Sequence, residues 1–166
     1  KLPIYLDCHS TTPVDPKVLD AMLPYLTADF GNASSKSHCF GWKAEAAVEK
    51  ARDRVAKLLG CSSKEVVFTS GATESNNFVL RGVAEKYAPR GKHIITTQIE
   101  HKCVLATAAY LEKQGFAATY LPVDETGKIR MSDLRAAIRP DTILVSIMAA
   151  NNETGTIQPL AEIGAL

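Results

Sequence analysis

Apolar positions along this chain fall into two patterns, stripes at helical spacing and short continuous runs, and their alternation predicts an α/β fold with a mainly parallel sheet and helices on both faces. The most regular stripe starts at Ser37, with Ala44, Ala47, Val48, Ala51, Val55, Leu58 and Leu59 on one face and Gly60 as a left-handed stop. An earlier, shorter helix is expected from Pro16, capped by Asp15 and carrying Val18, Met22 and Leu26. Val66, Val67 and Phe68 read as a strand, followed by a tight turn at Gly71 and a helix from about Thr73 to Tyr87 that ends before Pro89. A second strand is expected at 93–97, a helix at 102–113 stopped by Gly115, and a third strand at 117–121. After a turn at 124–127, Ser132 should cap a short helix through Ile138. The run at 142–148 (TILVSIM) has the continuous apolar character of a strand buried on both faces, and 159–163 announces another helix.

Composition narrows the function classes. With 46% apolar and 22% charged residues over 166 positions the chain is globular, and a net charge of +1 offers no electrostatic footprint for nucleic acid or an anionic membrane. Cys8, Cys39, Cys61 and Cys103 form no C-x-x-C pair, and no His stands at a zinc-like spacing from a second ligand, so the cysteines read as reduced thiols and no metal is expected. No secretory apolar segment is visible, and the first residue is Lys1, which leaves a removed targeting segment open. Trp42 reads as a packing anchor, and the loop at 30–35 as a solvated linker.

Three expected strands end in polar clusters: Gly71, Ala72 and Thr73; Glu100 and His101; Asn151, Asn152 and Glu153. Open α/β sheets bind ligands outside the carboxyl ends of their strands, so the three clusters should share one edge. Ala72 and Thr73 open a helix whose first N–H groups suit an anion, although the turn alone equally suits an ordinary capped helix. An imidazole at His101 and a carboxamide at Asn152 suit a phosphorylated ring with a polar substituent; taken singly, His101 also suits a helix cap or a core position. The G-x-G-x-x-G and Walker signatures are absent, which disfavours dinucleotides and nucleoside triphosphates.

Residues 68–76 (FTSGATESN), 96–105 (TTQIEHKCVL) and 151–155 (NNETG) strongly resemble the cysteine desulfurases of the iron–sulfur cluster assembly type, and 5–13 (YLDCHSTTP) and 30–35 (FGNASS) match the same family in order. The resemblance implies the large domain of a fold-type I pyridoxal-phosphate enzyme and a homodimer. It implies conversion of L-cysteine to L-alanine, with persulfide sulfur passed to a scaffold or other acceptor protein. By match, Ala72 and Thr73 would bind the pyridoxal 5'-phosphate phosphate, His101 would stack on the ring and handle protons, and Asn152 would bond the ring hydroxyl. The family's cofactor-linked lysine, its acid for the pyridine nitrogen and its mobile nucleophilic cysteine are expected beyond Leu166, so this stretch alone is expected to be inactive. Ser10, Ala33 and Thr154 depart from the family's usual Ala, Pro and apolar residue.

On this basis residues 1–15 are an N-terminal segment and 16–166 the first part of the cofactor-binding large domain, in the cytoplasm or an organelle matrix. None of the four cysteines is expected to carry the persulfide. The alternatives are a selenocysteine lyase or related class V enzyme, and a non-catalytic dimerising or partner-binding fragment.

Overall fold

Five consecutive residues, His93–Thr97, form strand β1, every one of them buried, and the second half of the molecule is built around them. The structure is a computed structural model that describes residues 3–8 and 10–166; His9, in the polar loop expected at 7–13, lies outside the described residues. The chain forms two compact units, Lys1–Phe68 and Thr69–Leu166.

The first unit holds two helices. Helix α1 (Pro16–Thr27) is capped by Asp15, whose carboxylate accepts the Lys17 N–H at 2.8 Å, and Pro16 opens it where its missing N–H costs nothing. Helix α2 (Cys39–Leu59) starts two residues later than the pattern suggested, capped by His38, and ends at Gly60 in the left-handed region (φ 69°). The loop at 30–35 is exposed to half-buried, as a solvated linker should be, with two close backbone approaches: a Cβ on Gly41 would lie 1.9 Å from the Ser35 carbonyl oxygen, and one on Gly31 2.1 Å from that of Phe40. Trp42 departs from expectation, being 56% exposed, with its indole N–H donating to the Lys36 carbonyl at 2.7 Å. A short 3-10 turn, Ser63–Glu65, follows, closed by a capping box between Ser62 and Glu65.

Val66, Val67 and Phe68 do not form the strand their composition suggested. No strand among the described residues pairs with them, and the Val66 carbonyl accepts instead from the Arg52 guanidinium at 2.5 Å. A β-branched run is only a propensity; a strand exists where a ladder partner does.

The second unit opens with helix α3 (Ala72–Tyr87), then β1, helix α4 (Lys102–Lys113), strand β2 (Ala117–Leu121), helix α5 (Met131–Ala137), strand β3 (Thr142–Val145) and helix α6 (Leu160–Gly164). The sheet order is β2-β1-β3, all parallel. Leu80 and Ala84 of α3 and Val104 and Leu111 of α4 pack with Ile94 on one side of β1. Ile95, Leu121, Leu134 of α5 and Ile163 of α6 belong to the cluster on the other, so helices cover both faces, as expected for an α/β sheet. Two details differ from the pattern. Ser132 lies inside α5 rather than capping it, the Arg130 N-cap making no side-chain bond. Strand β3 stops at Val145, because Ser146 donates the last ladder bond to Ile95 and the Met148 N–H is taken by the Glu100 side chain.

His93 fastens the amino end of the sheet. Its ring is buried, with Nδ1 2.7 Å from the Thr142 hydroxyl on β3 and Nε2 2.8 Å from the Thr119 hydroxyl on β2. Burial, then the Arg139 charge, hold its pKa below the usual 6.5, with Asp141 opposing. A depressed histidine pKa means the unfolded chain binds the proton first, so this contribution is whole above about pH 6.5 and is lost as pH falls through the folded value. Thermal unfolding followed from about pH 7.5 down to about pH 5 should therefore show a declining midpoint, and His93→Gln should flatten that decline. An unchanged slope in the variant would remove His93 from the pH response.

Candidate functional site at the carboxyl edge of the sheet

The first turn of α3 supplies unpartnered donors. Gly71 is its N-cap and makes no side-chain cap bond, and among the described residues nothing accepts from the N–H groups of Ala72, Thr73 or Glu74. Nothing stands within 4 Å of where a Gly71 Cβ would sit, so the approach to these donors is open. Beside them Glu74 folds back, its carboxylate accepting from the Ser70 N–H at 2.6 Å and the Ser70 hydroxyl at 2.7 Å; these bonds lower its pKa. Ala72 and Thr73 themselves are exposed.

Two adjacent asparagines tie that turn to α4. Asn77 donates to the Thr73 carbonyl at 2.9 Å and accepts from the Thr107 hydroxyl of α4 at 2.9 Å. Asn76 donates to the Cys103 Sγ at 3.3 Å. Asparagine is a poor residue for a helix interior unless its side chain has such work, and the pair at 76–77 was the sequence signal for this latch, left unread.

His101 is the N-cap of α4. Its Nδ1 accepts the Cys103 N–H at 3.2 Å and lies 3.0 Å from the Cys103 Sγ, so the helix-cap reading of this residue describes what the side chain does. The cap leaves the ring exposed and Nε2 without a partner among the described residues, available to a ligand.

The third cluster is joined to the second from both directions. The carboxylate of Glu100, only 8% exposed, accepts the Met148 N–H at 2.6 Å. Burial pushes its pKa up, while the N–H groups of Met148 and His101 and the His101 charge pull the other way. Asn151, 6% exposed, donates to the Ile99 carbonyl at 3.1 Å and accepts from the N–H groups of Glu153 and Thr154 at 2.8 and 2.9 Å. Asn152 is exposed and its side chain makes no bond among the described residues. All three expected clusters thus lie on connected segments: α3 start to α4 start through Asn76 and Asn77, and α4 start to the segment after β3 through Glu100 and Asn151. In the first unit an open groove of about 680 Å³ between α1 and α2, lined by Val18, Met22, Ala47 and Ala51 among others, holds none of the expected residues.

Donors, an imidazole and a carboxamide thus gather at the carboxyl edge of a parallel sheet, the edge where open α/β sheets place ligand sites. The chain belongs to the class-V aminotransferase family, whose model matches residues 4–166. It is 58% identical over its whole length to cysteine desulfurase IscS of Anaeromyxobacter sp. (strain K), covering 41% of that protein. It is 57% identical over 99% of its length to cysteine desulfurase of Homo sapiens, covering 36% of it. Among solved structures, a NifS-like protein superposes with TM-score 0.94 at 47% identity over 99% of this chain and 45% of that one. SspA in complex with cysteine superposes with TM-score 0.90 at 43% identity over 97% and 46%. The chain therefore spans about two fifths of the length of the curated relatives it matches.

The capping role makes a direct prediction for stability. Removing the His101 acceptor by His101→Ala should cost about 1 kcal/mol, and His101→Asn, which keeps an acceptor at the cap, should recover most of it. Denaturant unfolding checks both; equal losses in the two variants would show that the cap bond contributes nothing.

Proposed function

We propose that the protein carrying this chain is a pyridoxal-phosphate-dependent cysteine desulfurase, converting L-cysteine to L-alanine and passing sulfur to iron–sulfur cluster assembly, and that residues 16–166 are the first part of its cofactor-binding domain. The observation that carries the reading is the joining of the α3 start, His101 and the 148–154 segment at one sheet edge, by half-buried Asn76 and buried Glu100 and Asn151. The identity to named cysteine desulfurases over the whole chain supports it.

The residues present fit the cofactor. Unpartnered N–H groups at the start of a helix, at the positive end of its dipole, favour a phosphate dianion, and the exposed Thr73 hydroxyl adds a donor. Asn152 would offer its carboxamide to the ring hydroxyl. Pyridoxal phosphate supplies an electron sink for breaking bonds at the substrate α-carbon. The protein's part is positioning and proton handling. Because His101 Nδ1 accepts a backbone N–H, the neutral ring carries its proton on Nε2, so Nε2–H, facing away from the cap, is the donor the ring would present to a ligand.

The net reaction, L-cysteine plus an enzyme thiol giving L-alanine plus an enzyme persulfide, needs a thiol that can leave the site with its sulfur. Cys103 is a poor candidate: it sits on α4, half-buried, its Sγ held by Asn76 and beside His101. We assign the persulfide to none of the four cysteines present. The relatives' names support operation in a bacterial cytoplasm or, equally, a mitochondrion; a homodimer and a scaffold or acceptor partner complete the reading.

In a protein of the relatives' full length, Thr73→Val should weaken pyridoxal-phosphate binding about tenfold or more, since a donor to a charged group is removed at constant volume. His101→Gln should lower turnover about a hundredfold or more while cofactor-bound protein still forms. Cys103→Ser should still form persulfide. Wild-type cofactor affinity in the first variant, or wild-type turnover in the second, would count against the assigned roles, and loss of persulfide in a folded third would return Cys103 to the mechanism.

A further inference from the structure

His101 and Asn152 follow different strands, and if they are to meet one small ligand the spacing of their two segments must be fixed. Neither fixes it with its own side chain. Asn152 makes no side-chain bond among the described residues, and His101 bonds only within α4. The residue immediately before each does the reverse, being buried and reaching across. Glu100 extends from the His101 segment to the Met148 N–H at 2.6 Å. Asn151 extends from the Asn152 segment to the Ile99 carbonyl at 3.1 Å, while its Oδ1 gathers the N–H groups of Glu153 and Thr154 and so shapes the turn on which Asn152 stands.

We propose that Glu100 and Asn151 are a reciprocal pair of positioning residues, a cross-clamp between the segments after β1 and β3 that sets the separation of His101 from Asn152. The proposal rests on the reading of His101 and Asn152 as cofactor contacts.

The chemistry of the pair argues for positioning over plain stability. A carboxylate buried at 8% exposure is an expensive way to satisfy one N–H, and its raised pKa registers that cost. It has, however, two acceptor oxygens and no donor, so it can only accept the Met148 N–H, whereas an amide could turn a competing donor toward it. Asn151 needs the opposite mixture, a donor for Ile99 and an acceptor for the turn, and a carboxamide is the side chain that has both. Beyond Thr97 no strand ladder remains to hold these segments together. Two crossed side-chain bonds replace it.

The test uses the full-length protein loaded with pyridoxal phosphate, with Glu100→Met, Asn151→Asp and the double variant. Three quantities are read: the cofactor dissociation constant, circular dichroism in the cofactor's visible absorption band, and the unfolding midpoint of the cofactor-free protein. Each single substitution should weaken cofactor binding roughly tenfold and alter the visible dichroism with little change in the cofactor-free midpoint. The double should bind about as weakly as either single, because both bonds secure one spacing. Wild-type affinity and dichroism in both singles would overturn the proposal, as would losses that merely track the cofactor-free midpoint or that multiply in the double. Glu100→Met, which removes the acceptor for Met148 at similar volume, carries the test by itself if Asn151→Asp does not fold. Thr73→Val and Asn152→Ala separate the two readings: if both leave cofactor affinity at wild type the cofactor assignment fails, and if they weaken it while the clamp variants do not, the clamp alone fails.

Discussion

Strand β1 is enclosed by a parallel neighbour on each side and apolar clusters on each face, and its backbone groups are satisfied only while those neighbours run beside it. Where the ladder ends, just past Thr97, the chain must find other partners for buried polar groups. It finds them in side chains: Glu100 for the Met148 N–H, Asn151 for the Ile99 carbonyl. The candidate site lies on that boundary, where regular hydrogen bonding gives way to individually placed groups. The exposed candidate residues His101 and Asn152 are neighbours of the buried residues that hold the backbone.

The same division of labour recurs on the helix side. Ala72 and Thr73 present open donors because the Gly71 N-cap has no side chain and no other among the described residues caps α3, and such a helix start is costly unless something else fixes it. Asn77 fixes it by bonding the Thr73 carbonyl and the Thr107 hydroxyl together, and Asn76 adds a bond to Cys103. Cys103 and His101 are in turn joined through the α4 cap. An anion placed on the first turn of α3 would therefore rest on a platform tied to the imidazole beside it.

The helices and the central strands were legible in the sequence because their signals are local. Asp15 with Pro16, Gly60 after an apolar stripe, and Gly115 after Lys113 each mark a boundary within a few residues. What failed was non-local. Val66, Val67 and Phe68 have strand composition, yet a strand needs a partner, and Arg52 takes the Val66 carbonyl instead. The strand expected through Met148 ends at Val145 because a carboxylate 48 residues away claims the next N–H but one after Ser146. The exposed candidates Ala72, Thr73, His101 and Asn152 were readable from their places after apolar runs. The bonds of their supports were not legible, although Glu100 and Asn151 stood in the polar clusters and Asn77 in an asparagine pair, since a side chain's partner across the sheet edge leaves no periodicity behind.

One ligand is proposed to span the α3 start, His101 and Asn152. A crystal structure of the full-length protein bound to pyridoxal phosphate measures this most directly. In that structure the phosphate oxygens should lie within hydrogen-bond reach of the Ala72 and Thr73 N–H groups, the His101 ring against the pyridine plane, and the Asn152 carboxamide on the ring hydroxyl. A cofactor phosphate bound elsewhere, with the first turn of α3 facing solvent, would contradict it.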